Sequence, residues 1–189
     1  MIDLSAILLA GGRGSRMGGA HKPLLEVGGS TLLDAAVAAA KTAGCEPIVV
    51  VGPSDDAHAD LTWVREDPPF TGPAAAILAA LPLVSSPRTL VLACDLPRVA
   101  DAVRALLEAP EEADGVCLAD ASGRWQWLTG LYRTDALRAA AATIPDAGRN
   151  APVRGLLGGL AITAVAASDD VAFDIDTWDD LNEARRRNL

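Results

Sequence analysis

Aromatic side chains are scarce. They make up 4% of the 189 residues, with one Tyr and two Phe, so a core has to be assembled from Ala, Val, Leu and Ile. Histidine and cysteine are equally thin. With only His21 and His58, the chain is a poor candidate for a structural zinc site. Cys45, Cys94 and Cys117 stand far apart, each beside an apolar run, with no CxxC pair and no adjacent His. Three dispersed thiols exclude a disulfide framework and read as buried free cysteines in a reducing cytoplasm. No basic stretch precedes the apolar start MIDLSAILLAGG, so it is expected to be a buried strand and not a signal peptide. No apolar run is long enough, free of charge and Gly/Pro breaks, to span a bilayer, and no membrane partner is expected.

Positive charge is also in short supply. Sixteen Lys and Arg face 25 Asp and Glu, for a net charge of −9. That balance argues against a sequence-blind nucleic-acid binder, which needs a basic face. An anionic ligand would have to be held by a local cluster of cations, because the overall field repels it. Half of the residues are hydrophobic, which rules out a disordered acidic chain.

What is present is an alternation of short β-type runs with longer Ala-rich helical windows. Strands are expected at residues 4–10, 48–51, 61–64, 89–94, 115–119, 124–132 and 160–166. Helices are expected at 31–43, 73–81, 99–108, 135–142, 152–157 and 177–187. Such alternation predicts one three-layer α/β/α domain over residues 1–189, with a mostly parallel sheet covered on both faces. Residues 54–60 (SDDAHAD) read as a solvated loop.

Ligands of open parallel sheets bind beyond the carboxyl ends of the strands. After the first strand comes GGRGSRMGGAHKP, residues 11–23, in which five glycines let the backbone approach a ligand and aim N–H groups at anionic oxygens. Residues 4–25 contain no Asp or Glu, yet carry Arg13, Arg16, His21 and Lys22; Lys22 is one of only two lysines against fourteen arginines. This is a phosphate-site pattern. It lacks the GK[ST] of a Walker loop, and it has Met17 where a dinucleotide fingerprint needs its third Gly.

After the fourth predicted strand comes Asp95-Leu96-Pro97. A carboxylate at that point is a candidate ligand for Mg²⁺ bridging phosphate oxygens. Capping of the next helix is the competing reading, although that helix starts nearer Val99. In FDIDTWDD, Thr177, Asp179 and Asp180 suit a helix start. Asp174 and Asp176 alternate about Ile175 and share a face, so one of them, with Asp176 preferred, can complete a metal site. Asp67 comes after the third strand, as a nucleotide contact or a surface turn. Trp125 and Trp127 share one strand face, as core or interface more than as a ligand platform. No Ser-His-Asp or Cys-His set is present. Attack of a substrate phosphate on a nucleotide α-phosphorus needs none; it needs positioning and positive charge.

LLAGGRGSRMGG, KPLLEVGG, a GP-initiated helix, LVLACDLP and FDIDTWDDL together resemble the nucleotidyltransferases of the molybdenum cofactor guanylyltransferase type, over nearly the whole chain. The resemblance implies a Rossmann-like fold that joins a nucleoside monophosphate, taken from a triphosphate, to a phosphorylated acceptor, with Mg²⁺ as cofactor and pyrophosphate released. It implies that Leu9, Ala10, Gly11, Gly12, Lys22, Gly52, Asp67 and Asp95 bind the nucleotide, Gly52 through its backbone if that contact is kept. It further implies that Arg16 and Lys22 act on the phosphates, and that Asp95 and Asp176 hold the metal. The LAGG wording favours GTP and makes molybdopterin the expected acceptor. The alternatives are a cytidylyl or sugar-phosphate enzyme of the same fold, or a degenerate nucleotide-binding regulatory module. The family pattern has Asp where this chain has His21. A monomer or weak homodimer is expected.

Overall fold

The structure, a computed structural model, describes residues 3–12, 14–54, 56–110 and 114–187. Strand β1 (Leu4–Leu9) runs into the glycine loop, then a small hairpin, β2 (Glu26–Val27) and β3 (Ser30–Thr31), and helix α1 (Leu32–Thr42). Next come β4 (Cys45–Val51), β5 (Thr62–Val64), α2 (Pro73–Ala80), β6 (Arg88–Ala93) and α3 (Val99–Glu108). The chain ends with β7 (Gly115–Ala119), β8 (Trp125–Arg133), α4 (Thr134–Ala141), α5 (Val153–Leu157), β9 (Ile162–Ala166) and α6 (Trp178–Arg187).

Seven strands form one sheet in the order β5-β4-β1-β6-β8-β7-β9. Strand β8 is antiparallel to both of its neighbours, and all other pairings are parallel. The chain builds outward from β1 to β4 and β5, then returns to place β6 on the other side of β1. That reversal is the topological switch point, where a crevice opens beyond the strand ends.

Adjacent residues of β1 point to opposite sides. Leu8 packs with Leu33, Val37, Leu90, Val103 and Leu106 on the α1–α3 face. Ile7 packs with Val49, Ile77, Val91, Tyr132 and Leu137 on the other. Burial on both faces explains why the central strands read as continuous apolar runs. A third, smaller core joins Met17 of the glycine loop, Val27 of the hairpin and Leu32 to Ile175, Leu181 and Ala184 near the C-terminus.

The expected elements form, with two differences. Strand β4 begins at Cys45, ahead of the expected residue 48, and contains Pro47. The β1–β4 register breaks there, between Leu4↔Cys45 and Ala6↔Ile48, which is where a residue lacking an N–H is tolerated. The β2–β3 hairpin is too short to show in the hydrophobic periodicity; it turns on Gly28 and Gly29, at φ +61° and +89°. The three cysteines are buried and free, and burial pushes their thiols up. Among the described residues no helix is long and apolar enough to cross a membrane.

Candidate active site

The glycine loop is shaped by steric need and fastened by its apolar residue. Gly14 sits at φ +54°, and a Cβ there would lie 2.1 Å from the Ala20 carbonyl oxygen, so no other residue fits without moving the loop. The chain then makes a short 3₁₀ turn, Ser15–Met17, and buries Met17 in the third core. Arg16, preceding that anchored residue, is left facing the crevice. A second 3₁₀ turn, Lys22–Leu24, sets Lys22 at its start with Pro23 behind it. His21 donates from Nε2 to the Ala10 carbonyl oxygen at 3.0 Å, tying the far end of the loop to the end of β1. Arg13, one of the loop's cations, lies outside the described residues.

The partner of these cations comes from the far end of the chain. Asp176 pairs with Lys22 through Oδ1 and with Arg16 through Oδ2. The lysine, and after it the guanidinium, holds its carboxyl below the usual range. Ile175 is fully buried, and its N–H donates to the Asp95 carbonyl oxygen at 3.0 Å. The extended segment is thereby pinned beside the end of β6, with Asp174 and Asp176 to either side of the pinned residue.

Asp95 lies just beyond the end of β6. It does not cap α3, whose N-cap is Arg98. Its Oδ1 is buried with no hydrogen-bond partner among the described residues. Burial pushes its carboxyl up to about 6, and Asp174 and Asp176 push the same way, against the pull of Lys22. Asp174 is raised too, by partial desolvation and by Asp176. Gly11, Gly12, Gly14, Ser15, Arg16, Lys22, Pro23, Asp95 and Asp176 line a cavity of about 320 Å³. Six sequence-predicted residues, Gly11, Gly12, Arg16, Lys22, Asp95 and Asp176, thus meet around one space.

A second cavity, about 310 Å³, shares Gly11, Gly12 and Asp95 with the first. Leu9, Glu66, Phe70, Gly72, Pro73, Ala76, Ala93 and Leu128 complete its walls. Leu9 is placed as expected. Ala10 is buried beneath the loop and lines neither cavity; its N–H donates to the Val51 carbonyl oxygen at 2.9 Å. Gly52 also lines neither, being packed so closely that a Cβ would sit 3.1 Å from the Ala10 carbonyl group. Asp67 is exposed and outside both linings, and the residue that enters is its neighbour Glu66. Glu66 and Phe70 are not singled out by the sequence; the REDPPF stretch marks the place but not the phase. Trp125 and Trp127 contact each other with ring centroids 4.8 Å apart. Trp127 packs on the second core and Trp125 stays partly exposed.

Buried carboxylates lacking a partner require explanation. Among the described residues no three His, Cys, Asp or Glu form a metal cage. A hard cation that keeps waters and takes substrate phosphates needs only one or two carboxylates; the buried Asp95 Oδ1 suits such a cation, while both Asp176 oxygens are paired with Lys22 and Arg16.

The switch-point crevice, with its cations and carboxylates under a glycine loop, is the architecture of a nucleotidyltransferase. A solved nucleotidyl transferase from Methanothermobacter thermautotroptrophicus superimposes with a TM-score of 0.77 at 25% identity, covering 99% of this chain and 98% of that one. A 2-C-methyl-D-erythritol 4-phosphate cytidylyltransferase from Thermus thermophilus shares the fold at a TM-score of 0.74, 21% identity and 99% coverage of both chains. The chain belongs to the MobA-like NTP transferase domain family, whose model matches residues 6–173. A molybdenum cofactor guanylyltransferase from Pseudomonas syringae is 36% identical over 160 residues, 80% of this chain and 78% of that protein. A second, from Pseudomonas aeruginosa, is 36% identical over 138 residues, 69% and 68% of the two chains.

Proposed function

We propose that residues 1–189 act as one domain that transfers GMP from GTP to molybdopterin and releases pyrophosphate. The observation that carries this reading is the convergence of Lys22, Arg16 and Asp176 beside the buried Asp95 oxygen, which has no hydrogen-bond partner among the described residues. The curated relatives named molybdenum cofactor guanylyltransferase, at 36% identity, favour guanine and molybdopterin over other bases and acceptors.

In this reading the triphosphate lies across the first cavity, under the backbone N–H groups of Gly11 and Gly12. A phosphate oxygen of the acceptor attacks the α-phosphorus. One P–O bond forms, the bond from the α-phosphorus to the bridging oxygen breaks, and pyrophosphate carries away the electron pair. Lys22 and Arg16 neutralise charge as it builds on the phosphate oxygens, which is where such catalysis gains most. Asp95, with Asp176 beside it, would hold Mg²⁺, which would supply neutralisation of negative charge on the phosphates when bound. Ala10 and Gly52 act from beneath the glycine loop, where their close packing sets the position of Gly11 and Gly12. Buried free thiols fit a reducing compartment, the cytoplasm.

The test is a nucleotide panel. Melting of the purified protein is monitored with Mg²⁺ and each of GTP, CTP, ATP and UTP. A ligand at about a hundred times its dissociation constant adds roughly 2.7 kcal/mol of stability. The reading predicts that shift for GTP. A shift for CTP instead would make this a cytidylyl enzyme, and no shift with any nucleotide would contradict transfer altogether.

A further inference from the structure

Where the β1–β4 ladder ends, it leaves one carbonyl without its regular donor. The two strands pair in parallel in the register Leu9↔Val51, and the Ala10 N–H donates to the Val51 carbonyl oxygen at 2.9 Å. In a parallel ladder, a residue that donates to position 51 accepts in turn from position 53. That position is Pro53, which has no N–H. The intervening Gly52 N–H is turned away, to the Val64 carbonyl oxygen at 3.0 Å. Ala10 is fully buried, and a buried carbonyl left unpaired is costly. The half-buried ring of His21 supplies the bond instead, with Nε2 at 3.0 Å from that oxygen.

The two ends of this bond differ in freedom. Ala10 is fixed from below by Val51 and by Gly52, whose Cβ position would lie 3.1 Å from the Ala10 carbonyl group. His21 belongs to the loop. It immediately precedes Lys22 and starts the Lys22–Leu24 turn, the Leu24 N–H donating to its carbonyl oxygen at 3.0 Å. The ring therefore fastens the backbone that carries Lys22 to a fixed point at the end of β1. The fastening demands a donor. Nε2–H donates in the imidazolium and in one neutral tautomer, whereas an ionised carboxylate only accepts and would repel the carbonyl oxygen. The Asp of the family pattern could not make this bond, and His21 can.

We infer that His21 is a positioning residue for nucleotidyl transfer, holding Lys22 at the phosphates through its hydrogen bond to Ala10. The inference rests on the reading of this crevice as the transfer site and names the group that keeps its most sheltered cation in place.

Pyrophosphate release with Mg²⁺, GTP and molybdopterin is followed for wild type, His21→Ala, His21→Gln, His21→Glu, Lys22→Ala and the double variant His21→Ala/Lys22→Ala, each well below its melting transition. Gln carries an amide donor at a reach similar to Nε2, and Glu, of the same length, carries acceptors when ionised. Both keep the bulk of the side chain, so the comparison stands even where Ala is poorly folded. His21→Ala and His21→Glu are expected to lower kcat about 10-fold with KM for GTP within about threefold, because a displaced charge partner is felt in the transition state. His21→Gln is expected to stay within about threefold of wild type in both. Since His21 acts through Lys22, its removal from the Lys22→Ala background should cost less than about twofold. Wild-type turnover in Ala or Glu, or Gln as slow as Glu, overturns the role of the hydrogen bond while leaving transfer standing. A loss that persists in full without Lys22 also overturns it, by assigning His21 a task of its own. A wild type that turns over neither GTP nor CTP removes the transfer reading and this inference together.

Discussion

Lys22 and Arg16 share one carboxylate, and Lys22 is the better sheltered of the two: its side chain is 21% exposed against 70% for Arg16. Charge partners matter most where water is excluded, so the larger catalytic loss belongs to Lys22. Lys22→Ala is expected to lower turnover on the order of 10²-fold or more with little change in melting temperature. Turnover within a few-fold of wild type would remove Lys22 from the mechanism. Asp95 gives a pH signature. Its folded pKa of about 6 lies above the value of an unfolded aspartate. A pKa raised in this way favours the fold below the unfolded value, and the benefit is lost as pH rises through the folded value. In metal-free buffer, Asp95→Asn and wild type should therefore melt alike near pH 4. By pH 8 the variant should be the more stable, by on the order of 2 kcal/mol, yet should lose the Mg²⁺-dependent gain with GTP. Parallel pH profiles would contradict the burial argument. Arg16, Lys22 and Asp95 were legible in the sequence because each comes after a strand end in an unusual local setting. The choice between Glu66 and Asp67 was not, because neighbouring residues point to different sides and one step of phase exchanges them.

At the scale of elements, the third core makes the site possible. The carboxylates at 174 and 176 are delivered by Ile175, which is packed with Met17 of the glycine loop and Leu181 of α6. Ile175→Ala should cost about 2–5 kcal/mol of stability. It should also depress turnover at temperatures where the fold persists, because Asp176 loses its fixed position against Lys22. Ile175→Val should retain most of both. Equal turnover in Ala and wild type, measured well below the melting transition, would show that the segment is positioned otherwise. The start of α6 was legible: Thr177 and Asp180 make the expected reciprocal cap, with the Thr177 N–H donating to Asp180 at 2.7 Å and the Asp180 N–H donating to Thr177 at 3.2 Å. The partner of Asp176 was not, since nothing local to FDIDTWDD says which distant cation will meet it. The same limit explains β8. Its insertion, antiparallel, between β6 and β7 is settled by long-range packing.

Over the whole molecule, a chain of net charge −9 sets Arg16 and Lys22 at the crevice, beside Asp95 and Asp176. The layered α/β fold was legible because both faces of the sheet are buried, which leaves continuous apolar strands between amphipathic helices. The crevice's contents were legible in kind, from the residues just beyond the carboxyl end of each strand. Its second cavity emerged only once α2 and the turn at Phe70 were set against β1. Nucleotidyl transfer to an acceptor phosphate is tested at its product. Purified protein is incubated with Mg²⁺, GTP and molybdopterin, and the mixture is analysed by mass spectrometry alongside pyrophosphate release. A molybdopterin–GMP adduct is expected, formed one-for-one with pyrophosphate, dependent on metal and slowed on the order of 10²-fold or more with Lys22→Ala. Pyrophosphate without an adduct, or neither product from protein that binds GTP, would contradict it.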